Sequence, residues 1–442
     1  MSVSSIHEIG EIIRKVRKER GLRLEDLADE NISPATISNI ERGVSHVSPD
    51  KAMYLLKKLD LSIDKIPEMM LQEQKDLEKI KFRMLGIEVT ISTGEIDEAI
   101  GSLNEFNLEE NHPYAATMHY LKGKSYRLKQ NWKRAERSYY KAIQLSSQRF
   151  QSKNIEAISF LELGVCCHFQ NDLEKALQFT ESAMDAFVEN GERQYLKYLL
   201  FMNKAIYLER LGRCSESLSV VDKVWSSRDK IKQSSVLLTF YWLRAELNRK
   251  LKQHDQSIEF ATEGLDLARL NQQYNLMFDL WTVLGNVYLD LDKLEESEYC
   301  FDQVLLLRGR NVEEDKFITA YSSLGLLHMI QMEWEKAEDS IKKAIEVGEK
   351  FNDAPRLDNA LQIMGDFYCK QEKTEEAIKF YNRSLELARR HGYKKREYVA
   401  LYRLAKCWEG RNEQEFQKYT ANMYTVQKEL EELGVKMFDE TK

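Results

Sequence analysis

The chain has 442 residues, 43% hydrophobic and 31% charged, which is enough to bury a large core while keeping a polar surface. Its 65 Lys and Arg against 72 Asp and Glu leave a net charge of −7, so global charge holds it to neither nucleic acid nor anionic membrane, and any such contact must be local. Only 5 Pro and 19 Gly punctuate it, which argues against an all-β or disordered chain and for helix nearly throughout.

The longest apolar runs are a few residues, as at Val304-Leu305-Leu306-Leu307, far short of the roughly twenty that span a membrane. Met1 to Ile13 carries Glu8 and Glu11 and no apolar segment, so no signal peptide is expected. The 6 Cys (Cys166, Cys167, Cys214, Cys300, Cys369 and Cys407) form no CxxC and are expected as reduced thiols buried like small hydrophobes. Cys166-Cys167-His168 resembles a metal motif in composition only. On a helix the two thiols point about 100° apart, and no second ligand pair lies nearby in sequence, so no metal or cofactor is expected. With no phosphate loop, HExxH or GxSxG, no enzyme is expected either.

In chain order, Ile9, Ile12, Ile13 and Val16 predict an amphipathic helix over 6–20, ending at Gly21. Leu24, Leu27 and Ala28 begin a short second helix, and Asp29-Glu30-Asn31 is a polar turn. Ser33-Pro34 offers an N-cap and a first-turn proline to a third helix that runs to Arg42 and stops at Gly43. Ser48-Pro49 repeats that start for a fourth helix, expected to bury Met53, Leu55, Leu56 and Leu59. A fifth, around Ile63 to Met70, leads out. In the third helix Ile37 and Ile40 point to the core, while Pro34, Ala35, Ser38, Asn39 and Arg42 share a short polar face suited to a groove.

The segment Leu24-Glu25-Asp26-Leu27-Ala28 … Ser33-Pro34-Ala35-Thr36-Ile37-Ser38-Asn39-Ile40-Glu41-Arg42-Gly43 resembles the helix-turn-helix of phage-repressor (Xre-type) regulators. The resemblance implies that the third helix enters the major groove of double-stranded DNA, with Pro34, Ala35, Thr36, Ser38, Asn39 and Arg42 at the interface and Asn39 the best base reader. Two features depart from the pattern: Leu24 replaces a polar residue, and the turn is about one residue shorter. Residues 1–60 hold ten Lys/Arg and ten Asp/Glu, 10 − 10 = 0, but cations cluster from Arg14 to Arg23. Arg17 and Lys18 are the expected phosphate contacts. So few contacts imply a homodimer on a two-fold symmetric site.

The rest of the chain repeats. A small residue recurs at Gly123, Gly164, Ala205, Ala245, Gly285, Gly325, Gly365 and Ala405, in steps of forty or forty-one, and a shorter copy surrounds Gly94 and Ala99. Each copy reads as two helices joined by a tight turn, such as Gln130-Asn131 or Asp292-Lys293. One such hairpin cannot bury its apolar stripe alone, so the copies must stack. The internal spacing resembles the tetratricopeptide repeat, which implies a right-handed α-solenoid of about nine hairpins closed by a capping helix at 413–433. Tyr126, Trp132, Tyr288, Trp334 and Tyr368 are expected in its core. The expected organisation is all-α: a five-helix DNA-binding domain at 1–66, a linker helix at 67–76 and the repeat domain at 77–442.

Projection of the first helices onto an inner face gives Lys124, His168, Asn203, Arg210, Trp242, Arg249, Asn286, Ser323 and Gln362 as candidate ligand-binding residues. Asn amides there can both donate to and accept from a peptide backbone, Trp242 can pack an apolar side chain, and Arg249 can meet a carboxylate.

A repressor-type head joined to such an array resembles the RRNPP group, the PlcR-like and NprR-like peptide-responsive regulators. That resemblance implies a cytoplasmic transcription regulator whose array binds a short signalling peptide of the quorum-sensing kind. The alternatives are a response-regulator-binding or phosphatase protein of Rap type, whose N-terminal region is a helical bundle, and a protein-interaction scaffold.

Overall fold

The computed structural model describes residues 6–44, 48–62, 66–147 and 153–432. Among these no strand occurs, and no helix is long and apolar enough to cross a membrane. The chain divides into two compact units, Met1–Leu121 and Lys122–Lys442.

The first unit opens with α1 (Ile6–Glu19), α2 (Leu24–Leu27), α3 (Pro34–Glu41) and α4 (Pro49–Lys58). Their shared core is Ile12, Ile13, Val16, Leu27, Ile32, Ile37, Ile40, Ala52, Leu55, Leu56 and Leu59. Gly21 and Gly43 end α1 and α3 in left-handed conformations that a residue with a Cβ adopts reluctantly. Met53, expected in this core, is instead 40% exposed, and Ala52 takes the inward place. The helical phase of α4 is set by Leu55, Leu56 and Leu59, one residue away from the Met53 stripe. Next come α5 (Ile66–Ser92) and α6 (Ile96–Asn104). The stretch expected as a linker helix is the start of the 27-residue α5, and Ile63 lies outside the described residues.

The second unit, which begins within α7 (Ala115–Leu128), is a stack of helix pairs: α7 with α8 (Trp132–Ser147), α9 (Ile155–Phe169) with α10 (Leu173–Asp185), and α11 (Leu196–Arg210) with α12 (Cys214–Trp225). It continues through α13 (Ser234–Lys250), α14 (His254–Leu270), α15 (Tyr274–Asp290), α16 (Leu294–Leu306), α17 (Phe317–Ile330) and α18 (Trp334–Phe351). It ends with α19 (Ala354–Lys370), α20 (Thr374–His391), α21 (Lys394–Trp408) and α22 (Glu413–Glu432), the last packing on α21 where a cap was expected.

At four of the pairs a glycine faces a bulky side chain. A Cβ added at Gly123, Gly285, Gly325 or Gly365 would lie 2.2–2.7 Å from Tyr139, Phe301, Ile341 or Tyr381, each sixteen residues on. Where the small residue is Ala205 or Ala245, the residue sixteen on shrinks to Val221 or Ala261. A glycine thus admits a ring or branched side chain at these four crossings, while Gly164–Thr180 and the alanine crossings pair two smaller residues. Twelve residues on, the buried Ser217, Ser257 and Ser297 hydroxyls donate to the carbonyls of Ala205, Ala245 and Gly285 at 2.7–2.9 Å. Those bonds satisfy a buried hydroxyl at the place where other copies use Ala135, Ala337 or Ala377.

Two expectations need correction. Tyr126, Trp132, Tyr288 and Tyr368 are only half-buried, and Trp334 is 36% exposed. They sit near the turn of their hairpin and lean on the next repeat, as Trp132 does on Phe169 at 5.9 Å. The most deeply buried aromatics among the described residues are Tyr120, Tyr139, Phe240, Phe278, Phe301 and Phe367. Cys369 is exposed, whereas the other five thiols are buried.

The array also meets itself. Asn171, in the left-handed turn between α9 and α10, donates from its amide to the Asn352 carbonyl at 2.6 Å and accepts from the Ala354 N–H at 3.2 Å. Its own carbonyl accepts from the Tyr393 hydroxyl at 2.8 Å, and Lys395 donates to the Gly212 carbonyl at 2.6 Å. Ala354, Ala388 and Tyr393 join the same apolar cluster as Leu173, Leu177 and Cys214. The superhelix therefore closes a full turn within this unit, the turns of α9–α12 lying against those that precede α19 and α21.

Candidate functional site

The polar face of α3 is built from below. Ser33 caps the helix by accepting the Thr36 N–H at 3.2 Å, and its hydroxyl also touches that of Thr36 at 2.9 Å. Ile37 and Ile40 are fully buried, which pins the opposite face outward. Ala35 and Arg42 are exposed there, and Pro34, Thr36, Ser38 and Asn39 are half-exposed. Arg42 donates to the Asn39 side-chain oxygen and to the Ser38 carbonyl. This leaves the Asn39 amino group and one oxygen lone pair free, the pattern needed for an adenine edge.

Gly10 sets how closely α3 is held. A Cβ there would lie 2.1 Å from the Ile40 carbonyl oxygen, so α1 and α3 cross backbone to backbone. Nothing local in the sequence singles out Gly10, because the contact becomes visible only when the two helices are laid together.

Arg17 is used differently from expectation. It donates to both Glu41 oxygens at 2.6 and 2.9 Å and to the Leu22 carbonyl at 2.8 Å, with both side chains of the pair nearly buried. The Glu41 hydrogen bond raises the Arg17 pKa against the opposing effect of burial. Arg17 is thus a clasp between α1 and α3, because Glu41 carries a charge that only a nearby guanidinium can balance. Lys18 is exposed and pairs with Glu109, whose carboxyl it holds below the ordinary range. Such an exposed pair is worth about 1 kcal/mol or less and is easily exchanged.

In the repeat unit, ion pairs link successive first helices or the turn that leads into one. Arg127 meets Glu162 at 2.6 Å, Lys250 meets Glu209 at 2.6 Å and Arg249 meets Asp290 at 3.0 Å. Lys316 pairs with Asp279, Arg356 with Asp315 at 2.9 Å, Arg396 with Asp358 at 3.0 Å and Arg403 with Asp366 at 3.0 Å. The expected ligand residues divide on this ladder. Arg249 is engaged on both sides, since it also grips Glu246 bidentately at 2.9 Å, so it is not the open carboxylate receptor expected. Gln362 is buried, donating to Asp358 at 3.0 Å and accepting from Arg403 at 2.7 Å, and Ser323 is buried as well. Lys124, Asn203, Trp242 and Asn286 are half-buried, and the Asn203 and Asn286 amides make no hydrogen bond among the described residues.

His168 and Arg210 form a separate group. The His168 ring lies tilted against Tyr207 with centroids 5.3 Å apart, and its Nδ1 is buried without a partner among the described residues. Burial first, then the Arg210 charge, depresses its pKa to about 3, so it is neutral at physiological pH. Arg210 reaches Asp353 only at 3.7 Å, while Arg356 holds the same carboxylate at 3.1 Å. Cys166 and Cys167, next to His168, are pushed by burial to about 12 and about 11 and stay protonated. Among the described residues no three His, Cys, Asp or Glu side chains gather as metal ligands.

Residues 13–66 match the helix-turn-helix family model, and residues 114–187, 278–311 and 316–390 match tetratricopeptide-repeat models. The chain has no match among curated protein sequences. Among solved structures, a Rap protein complexed with competence and sporulation factor superposes with a TM-score of 0.61 at 13% identity, over 80% of this chain and 99% of that one. Aspartyl phosphate phosphatase F from Bacillus subtilis gives 0.47 at 14% identity, over 78% and 93%. Bacillus thuringiensis PlcR, in complex with the peptide PapR7 and DNA, gives 0.34 at 13% identity, over 69% and 98%. The chain is a helix-turn-helix protein carrying a tetratricopeptide array. That make-up is consistent with the RRNPP-type regulators its sequence resembles.

Proposed function

We propose that the chain is a cytoplasmic, DNA-binding transcription regulator without enzymatic activity, whose repeat unit binds a short linear signalling peptide that controls its oligomeric state or DNA affinity. The observation that carries this reading is the α3 face: small, polar, outward, and held by a buried clasp on its other side. A peptide of about five to ten residues suits the inner face of stacked hairpins. Asn203 and Asn286, with free amides two repeats apart, are suited to hold its backbone, and Trp242 between them to pack a side chain. One head offers few phosphate contacts, so two heads act together as a homodimer on a two-fold symmetric site.

The test is selection of bound duplexes from a randomised DNA pool by the full chain. A two-fold symmetric sequence should be enriched, and Asn39→Ala should lose about 1–3 kcal/mol of discrimination at one base pair of each half-site. Enrichment of no sequence, or an unchanged preference in Asn39→Ala, defeats the reading. A second reading, a response-regulator partner or phosphatase of Rap type, draws on the fold likeness to a Rap protein. Dephosphorylation of a phosphorylated response regulator by the chain would favour it.

A further inference from the structure

We propose that the seam where the repeat array closes on itself is a receptor for an anionic group, a carboxylate carried by the ligand, held by Arg210 with Arg356 and His168 beside it. This rests on the peptide reading above and specifies the chemistry its ligand must bring. Arg356, Arg396 and Arg249 each hold a carboxylate oxygen at 2.9–3.0 Å. Arg210 makes no hydrogen bond among the described residues. Its nearest carboxylate oxygen, on Asp353, is 3.7 Å away and already held by Arg356 at 3.1 Å. A guanidinium has five donors in a fork that matches a carboxylate, and burying it without such a partner is unfavourable. The titration directions agree: burial and then the neighbouring Arg356 lower the Arg210 pKa against the pull of Asp353, Glu209 and Asp315, whereas burial at Arg249, Arg356 and Arg396 is outweighed by their carboxylates.

A second unsatisfied group lies in the same place. His168 Nδ1 is buried without a partner, and the charges felt by its ring are those of Arg210, Asp353 and Arg356. The neutral imidazole can carry its proton on Nδ1 and donate it to an incoming oxygen. The Arg210 side chain retains 19% exposure and that of Arg356 24%, so both remain reachable. These groups come from both sides of the seam, His168 and Arg210 from α9 and α11, Asp353 and Arg356 from the start of α19. An anion seated there joins the two sides, so ligand binding and closure of the superhelix are coupled through one charge.

The experiment uses the full chain and three heptapeptide pools. One has free C-terminal carboxylates and no Asp or Glu, one has amidated C-termini with Asp and Glu allowed, and one is amidated without Asp or Glu. Retained peptides are counted by mass spectrometry after gel filtration. The first pool reports a terminal carboxylate and the second a side-chain carboxylate; either should exceed the third by about ten- to a hundredfold, the value of a charge-assisted bond. Arg210→Gln should remove that excess, with Arg210→Lys restoring part of it and a circular-dichroism spectrum confirming that both variants fold. Equal retention of all pools, or undiminished excess in Arg210→Gln, overturns the proposal while leaving peptide binding intact. Inorganic phosphate against chloride at equal ionic strength is the independent probe. It should raise the melting temperature of the wild type more than that of Arg210→Gln. If no pool is retained but phosphate acts in this way, the peptide reading falls and the anion receptor stands; if phosphate fails as well, both fall.

Discussion

At Arg17 a cation that the sequence offers to phosphate is turned inward, because Glu41 on α3 is only 7% exposed and needs its charge balanced. Arg17→Ala should therefore destabilise the first unit by about 3 kcal/mol, as expected when one member of a buried pair is removed. Circular-dichroism melts of the full chain would show this, and a loss within 0.5 kcal/mol, roughly the range of surface substitutions, would contradict it. His168 carries a second prediction. Its folded pKa of about 3 lies below the ordinary value of 6.5, so above that value the imidazole is neutral in both states. As pH falls, the unfolded chain takes up a proton that the folded chain refuses, and stability is lost from about pH 6.5 down to about 3. At pH 5 the contribution is about 2 kcal/mol. Comparing urea unfolding of wild type and His168→Gln between pH 7 and pH 5 isolates it, because the carboxylates are common to both chains; equal pH slopes would refute it. Neither role was legible in sequence. A cation at helical spacing looks the same whether it faces solvent or a carboxylate from another helix.

Helix starts and stops were far more legible, because they depend on local chemistry. Ser33-Pro34 and Gly43 bound α3 where capping rules place them, and the forty-residue recurrence of small residues located every hairpin of the second unit. What sequence reading missed was the partner of each small residue, sixteen positions on, and the burial of the five turn-proximal aromatics. Both depend on how one helix lies on another. The pairing rule predicts that Gly285→Ala, with its new Cβ 2.7 Å from the Phe301 ring, destabilises the array by about 1–3 kcal/mol. Combining it with Phe301→Val reproduces the Ala205–Val221 crossing, and the two changes should couple favourably by about 1 kcal/mol in a double-mutant cycle read by urea unfolding. Strict additivity would show that the two positions are independent. In the first unit Gly10→Ala should push α1 from α3 and abolish duplex retention, since the clash is with backbone that cannot rotate away.

Closure of the superhelix joins residues about two hundred positions apart, beyond the reach of any periodicity in sequence. Asn171 bears most of the polar contacts of this seam and itself occupies a left-handed turn. Asn171→Gly keeps that backbone accessible and removes the side-chain bonds. Hydrogen exchange at 352–354 and 393–395 should then accelerate at least severalfold in the variant, with small-angle scattering reporting a wider array; unchanged exchange would mean that apolar contacts alone close the turn. In the proposed function the ligand of the array governs DNA binding by the head. The most direct measurement of that control is the Kd of the full chain for its selected duplex, by fluorescence anisotropy, with and without a saturating amount of the peptide retained by the wild type. A shift of at least fivefold in either direction, matched by an equal shift in peptide affinity when duplex is added, is the predicted result, since coupling between two sites is typically about 1–3 kcal/mol and reciprocal. Duplex affinity that is the same with the array empty and full would rule out that coupling.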